Sequence, residues 1–174
     1  MRVIDTGSFT LEPQTAAHAA EMFVVLSDPA IYAYENEPPP SAEWLRTRYT
    51  KLESRCSPDG DEQWLNWVIR LPTSMLIGYV QATIHTQGRA GIAYELTSAY
   101  WGRGLARQAV SAMISELAQT YGVICFSAVL KRGNFRSLRL LERLDFSLAS
   151  ADEHVQNQVE LDEILMHRGP DVGR

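Results

Sequence analysis

Across Trp101-Gly102-Arg103-Gly104-Leu105-Ala106 the chain changes its hydrophobic period, and that change limits the possible folds more than any other feature. Upstream, apolar β-prone runs lie at Trp64 to Arg70, Met75 to His85 and Ala90 to Thr97. Turns at Leu71-Pro72-Thr73-Ser74 and near Gln87-Gly88-Arg89 separate them, which predicts an antiparallel meander of three strands. Downstream, Leu105, Ala109, Ala112, Met113 and Leu117 share one face of a helix that ends near Tyr121-Gly122. Val123 to Leu130 is then an almost wholly apolar run of strand length. That is the pattern of a central strand covered on both faces, with a parallel neighbour reached through the helix.

The remaining segments fit around this core. Phe9 to Pro13 reads as a first strand, and Ala17, Ala20, Phe23 and Val24 give Gln14 to Leu26 a helical period. Asp28-Pro29 and Asn36-Glu37-Pro38-Pro39-Pro40 break the chain, and Ser41 with Glu43 and Trp44 opens a second helix running to about Glu53. Leu138, Leu141 and Leu144 predict a helix over Asn134 to Leu144, with last strands at Phe146 to Leu148 and Val159 to Met166. The order predicts an α/β (α+β) fold, a mixed sheet with about four helices packed on its faces. Residues 1–168 are read as one domain and 169–174 as a loose tail.

Composition narrows the function classes. With 174 residues, 45% hydrophobic and 21% charged, the chain suits one globular domain with a real core. Its longest apolar stretches fall far short of the roughly 20 residues that cross a bilayer. The amino terminus lacks a secretory pattern, so the expectation is a cytoplasmic protein without a membrane partner. A formal charge of −5, with no cluster of Lys and Arg among aromatics, argues against nucleic acid. The two cysteines, Cys56 and Cys125, form neither a disulfide framework nor a metal-ligand spacing, and no metal is expected.

The glycine turn is the most informative candidate site. A strand ending in a glycine turn that opens a helix leaves backbone N–H groups unpaired, and these bind phosphate. Gly102 and Gly104 let an anion approach the backbone, and Arg103 and Arg107 lie four apart where they add charge. A pyrophosphate fits, and a plain tight turn is the competing explanation. A dinucleotide site of the Gly-x-Gly-x-x-Gly kind fits less well, because these glycines follow an antiparallel meander and the third is absent. No Gly-Lys-Ser or Gly-Lys-Thr follows, which excludes a phosphate-loop NTPase.

With its context, the turn resembles that of the GCN5-related N-acetyltransferase (GNAT) superfamily, whose pyrophosphate turn reads Gln or Arg, two residues, Gly, one residue, then Gly or Ala. Trp101 to Ala106 matches except at the first position. Trp there, Tyr100 before it and Ala93-Tyr94-Glu95-Leu96 upstream are similar to the branch of ribosomal-protein N-terminal acetyltransferases (RimJ/RimL-like) and many small-molecule acetyltransferases. Asn134-Phe135-Arg136-Ser137 through Leu144-Asp145-Phe146 resembles that branch's Asn-x-x-Ser helix ending in Leu-Gly-Phe, with Asp145 replacing the glycine. The resemblance covers roughly Phe9 to Met166 and is specific from Ile77 to Phe146.

This resemblance implies an N-acetyltransferase that moves an acetyl group from acetyl-CoA, as cosubstrate, directly to a primary amine of a small molecule or a protein N-terminus. The strand before the turn would splay from its parallel neighbour, so that groups near Leu96 and Thr97 pair with the pantetheine arm. Residues Gly102, Arg103, Gly104, Leu105, Ala106 and Arg107 would hold the pyrophosphate. Asn134 would contact the cofactor or cap its helix. Ser137 is the candidate hydrogen-bond partner or proton donor for the thiolate, with helix packing as its other role. Leu141 occupies the position where some members carry a tyrosine acid, which excludes that acid here.

Glu95 is the candidate base for the amine, and an exposed strand glutamate is the alternative. Gln81 and His85 share a face of the preceding strand, His85 nearer solvent. Tyr32, Tyr34, Trp44, Trp64 and Trp67 read as core or acceptor-site lining. The acceptor site is expected from the loop Ser27 to Ser41, with Tyr32, Tyr34, Glu35 and Glu37. Monomer and homodimer both stay open. The rival from another class is a non-catalytic acyl-CoA-binding or sensor module of the same fold.

Overall fold

The computed structural model describes residues 1–34 and 36–169. Eight strands form one sheet in the order β1-β2-β3-β4-β5-β6-β8-β7. Residues Ile4–Asp5 (β1), Thr10–Pro13 (β2), Gln63–Arg70 (β3), Leu76–His85 (β4) and Arg89–Leu96 (β5) are antiparallel neighbours in succession. Between β2 and β3 lie the helices Ala19–Leu26 (α1) and Ala42–Leu52 (α2). After β5 come Leu105–Tyr121 (α3), Cys125–Lys131 (β6), Phe135–Glu142 (α4), Ser147–Leu148 (β7), Ala151–Gln156 (α5) and Glu163–Arg168 (β8). The fold class read from the sequence is therefore the observed one.

Side-chain parity divides the sheet into two layers. Leu65, Trp67, Ile69, Ile77, Val80, Ala82, Ile92 and Leu96 face α3 and α4, where they pack with Ala109, Met113, Leu117 and Leu141 in the main core. The opposite face carries Val68 and Tyr79 against Met22, Val25, Leu45 and Tyr49 of α1 and α2. Helix ends follow local chemistry. The Ser41 hydroxyl accepts from Trp44 N–H and the Asn134 side chain from Ser137 N–H, while Gly122 at φ 67 closes α3 in the left-handed conformation.

Two expectations need correction. The last strand begins at Glu163, and Ala151–Gln156 is helical. That helix has no buried residue, so no apolar stripe betrays it. Its signal is the Ser150–Glu153 capping box, in which each side chain accepts from the other's backbone N–H. The second concerns β6, which is not covered on both faces. Phe126, Ala128 and Leu130 are buried while Val129 is 49% exposed, because the sheet opens beside it.

Candidate active site

The opening lies between β5 and β6, the one parallel pair among the described residues. They pair only through Arg89–Cys125, Ala90–Phe126 and Gly91–Ser127. Beyond Gly91 and Ser127 the strands run on to Leu96 and Lys131 without a shared ladder, so the sheet is split. A cavity of about 500 Å³ passes through this split. From the α3–α4 layer it is lined by Ile92, Tyr94, Trp101, Ala106, Ser137 and Leu141. From the α1–α2 layer it is lined by Gln14, Tyr32, Asn66, Tyr79, Gln81 and Glu95. Two reactants can enter from opposite faces and meet at the end of β5.

Ladder parity decides which backbone groups face the split. Thr97 N–H donates to Ile77 O at 2.9 Å, flanking the Gly78–Leu96 pair. Leu96 therefore turns its own N–H and C=O away from β4 and toward the split, and Tyr94 does the same two residues earlier. The Leu96 carbonyl accepts from Trp101 Nε1–H at 2.7 Å. Its N–H faces the region where the β6 ladder has ended. Thr97 is different. Its N–H is used by Ile77, its carbonyl accepts from Tyr100 N–H, and its hydroxyl donates to Asp28. Of the two positions expected to pair with a pantetheine arm, the geometry suits Leu96 and not Thr97.

The glycine turn sits at the mouth of the split. Gly102 and Gly104 have φ of 74 and 76, the left-handed region that only glycine enters without strain, and a Cβ on either would meet nothing within 4 Å. Openness and conformation together explain both glycines. Gly104 caps α3 without any side-chain hydrogen bond and the first turn holds no acidic residue, so the N–H groups of Leu105, Ala106 and Arg107 present a positive end outward. Arg103 rests 5.0 Å from the Tyr100 ring and Arg107 is exposed. Arg136 lies 3.7 Å over the Trp101 ring beside the same cavity. No sequence signal marked it, because α4 reaches α3 only through tertiary packing.

Ser137 and Asn134 both line the cavity. Asn134 acts as the helix cap, its Oδ1 accepting from Ser137 N–H at 3.1 Å. Tyr94 Oη–H donates to the Ser137 carbonyl at 3.5 Å, and burial pushes its pKa up to about 12. Leu141 is fully buried. His85 is exposed and pairs with Glu62 at 3.3 Å, outside the cavity, while its same-face neighbour Gln81 lines it.

Glu95 is partly buried on the α1–α2 face and pairs in register with Tyr79. Burial first, and then the charge and hydrogen bond of Glu95, hold the Tyr79 hydroxyl well above its ordinary pKa. Burial, with smaller contributions from Glu95 and Asp28, pushes Tyr32 up to about 12, and burial likewise raises Tyr49. The carboxylate thus stands among phenols that keep their protons at neutral pH. Tyr79 and Tyr49 escape sequence reasoning, since only strand register and helix docking bring them to Glu95.

The loop between α1 and α2 roofs this half of the cavity through Tyr32, Tyr34 and Glu37, with Tyr34 packed against Gly133. Glu35 lies outside the described residues, as do 170–174 of the expected loose tail. Asp28 anchors the loop. It accepts from Ser98 N–H at 2.6 Å, Thr97 Oγ1–H at 2.9 Å and Ala30 N–H at 3.0 Å. Burial would raise its pKa, and these hydrogen bonds outweigh that and bring it down to about 2. A depressed carboxylate adds stability that is fully present above its unfolded value and lost as pH falls through the folded one. The anchor is therefore expected to weaken between about pH 4 and pH 2. Urea denaturation across that window should show a steeper acid loss in the wild type than in Asp28→Asn; equal slopes would remove Asp28 from this role.

Among the described residues no cluster of three His, Cys, Asp or Glu is placed to hold a metal ion, and no helix is long and apolar enough to cross a membrane.

The mixed sheet is thus split along its parallel pair, with the uncapped start of α3 at the mouth of the split. Residues 8–147 match the acetyltransferase (GNAT) domain, and the chain belongs to that family of acyltransferases. The coenzyme A complex of RimL, the ribosomal L7/L12 alpha-N-protein acetyltransferase, is 16% identical with a TM-score of 0.79, over 98% of this chain and 99% of that one. A ribosomal-protein-S5-alanine acetyltransferase from Vibrio fischeri is 16% identical with a TM-score of 0.78, over 99% and 98%. A GNAT-family acetyltransferase from Bordetella pertussis is 22% identical with a TM-score of 0.75, over 97% and 100%. These neighbours share the fold and include the branch that the turn and helix motifs resemble. No curated protein matches the chain.

Proposed function

We propose that this protein is an acetyl-CoA-dependent N-acetyltransferase acting on a primary amine of a small molecule or a protein N-terminus, through a complex holding both substrates. The observation that carries the reading is the single cavity through the split, with the glycine turn at one mouth and Glu95 on the opposite face. The orphan N–H groups of α3 and the open surface over Gly102 and Gly104 fit a pyrophosphate. Acetyl-CoA, when bound, supplies an acetyl group on a thioester. Leu105, Ala106 and Arg107 N–H groups, with Arg103 and Arg136 nearby, would hold its phosphates. Leu96 N–H, aimed into the split, would hydrogen-bond the donor's arm or its thioester carbonyl. Glu95 would accept the proton that the amine sheds on attacking the carbonyl carbon. As the carbon–sulfur bond breaks, Ser137 Oγ–H would stabilise the departing thiolate.

Acetyl-CoA turnover across amines and peptides of different first residue, followed as free thiol, tests the reading. Turnover on at least one amine, with calorimetry giving tighter binding of CoA than of NAD or ATP, is the expected result. Tighter binding of either nucleotide sinks it. Tight CoA binding with silence across a broad panel favours a binding module instead.

A further inference from the structure

A second cavity, about 350 Å³, continues the first along the α1–α2 face. The two share Arg48, Leu52, Asn66 and Gln81 as lining, so together they form one groove. Strand register gives its direction. Tyr79 pairs with Glu95, Gln81 with Ala93 and Thr83 with Gly91, each step of two residues being about 7 Å. The groove floor at Gln81 and Thr83 is therefore roughly 7 to 14 Å from the Glu95 row. It leads away from the pyrophosphate turn.

The groove carries the opposite charge to the Glu95 end. Arg48, Lys51 and Leu52 approach it from α2 at i, i+3 and i+4, on one helix face. Among the described residues neither Arg48 nor Lys51 pairs with a carboxylate, and Arg48 rests only 5.7 Å from the Trp44 ring. The nearby carboxylate of Glu62 is occupied by Trp64 Nε1–H at 2.9 Å and His85 at 3.3 Å. Asn66 is 4% exposed and lines both cavities, which puts a polar amide on the floor between them. Two cations with no carboxylate partner among the described residues, beside a buried amide, run against the chain's net charge of −5.

We infer that the acyl acceptor is an extended amine carrying an anionic group about 7 to 14 Å from its nitrogen, with Arg48 and Lys51 receiving the anion and Asn66 a polar group between. The inference rests on the acetyltransfer reading of Glu95. A carboxylate on the third or fourth residue of a peptide spans this distance at about 3.3 to 3.6 Å per residue, and a long ω-amino acid spans it too. The shared chemistry is an amine with a distal carboxylate.

The test uses matched acceptors: peptides with Glu or Gln at the third or fourth position, and ω-amino acids against their amides. For the wild type, the carboxylate member is expected to have kcat/KM at least about tenfold higher, through KM, with the advantage shrinking as salt rises. In R48E/K51E the preference should reverse, and in the milder Arg48→Gln it should shrink with thermal melting unchanged. Preference among peptides alone or ω-amino acids alone supports the inference and identifies the source. Equal kcat/KM within every pair, or a preference that survives charge reversal, overturns it while leaving acetyltransfer intact. Loss of all acceptor turnover together with failure to bind CoA overturns both.

Discussion

Glu95→Gln is expected to lower kcat on the best amine by about a hundred- to a thousandfold, with a much smaller change in CoA affinity. The amine must lose a proton to attack, and Glu95 is the strand carboxylate lining the α1–α2 side of the cavity, four residues past the last β5–β6 pair at Gly91. The phenols of Tyr79, Tyr32 and Tyr49 hold their protons at neutral pH, so they can orient the carboxylate without competing for the amine's proton. A base and a charge that merely attracts a cation differ in where the loss appears. Loss of the base falls in kcat and recovers at high pH, where the amine is already neutral. Loss of a binding charge falls in KM. A variant with wild-type kcat at neutral pH would exclude Glu95 as the base. Ser137→Ala is expected to cost about tenfold or more, since removing a positioned proton donor leaves water to replace it.

The largest stability effect is expected at Gly78→Ala. Gly78 lies opposite Leu96 in the β4–β5 ladder, and an added Cβ would come within 2.1 Å of the Glu95 carbonyl oxygen and 2.8 Å of the Leu96 Cα. Both are backbone atoms, so no side chain can swing aside, and the strands must part where Glu95 and Leu96 are positioned. We expect a loss of about 3 kcal/mol. That corresponds to a fall in Tm of roughly 6 to 12 °C for a chain of this size. CoA affinity should drop as well, because the Leu96 edge moves. A control at Gly102, where an added Cβ meets nothing, should cost only about 1 kcal/mol through its positive φ. Melting of the Gly78 variant within a degree of the wild type would rule out this close approach.

How much of the site the sequence reveals depends on the range of the interaction that creates each part. Gly102 and Gly104 are legible because a left-handed φ before a helix is a local demand with one common solution. Asn134 and Ser41 are legible as caps for the same reason. Glu95 stands out as a carboxylate in an apolar strand. The direction of the Thr97 amide is not legible locally, because it depends on pairing with Ile77 on another strand. Tyr79, Asn66 and Arg48 carry no local mark at all. They reach the groove by strand register and by the docking of α2, while Arg136 reaches Trp101 through the approach of α4. The helix Ala151–Gln156 was hidden because it buries nothing.

By itself the sequence determined the local grammar of this protein: three meander strands, a glycine turn suited to phosphate, a long helix, and the residue types at the turn and on α4. Those follow from hydrophobic period, backbone dihedral limits and capping, which act over a few residues. Only the tertiary structure decided that β5 and β6 part after three pairs, that the resulting cavity joins both faces, and that an acidic end at Glu95 faces a basic groove under α2. Those features depend on register and layer packing between segments tens of residues apart, where no local preference selects one alignment over another.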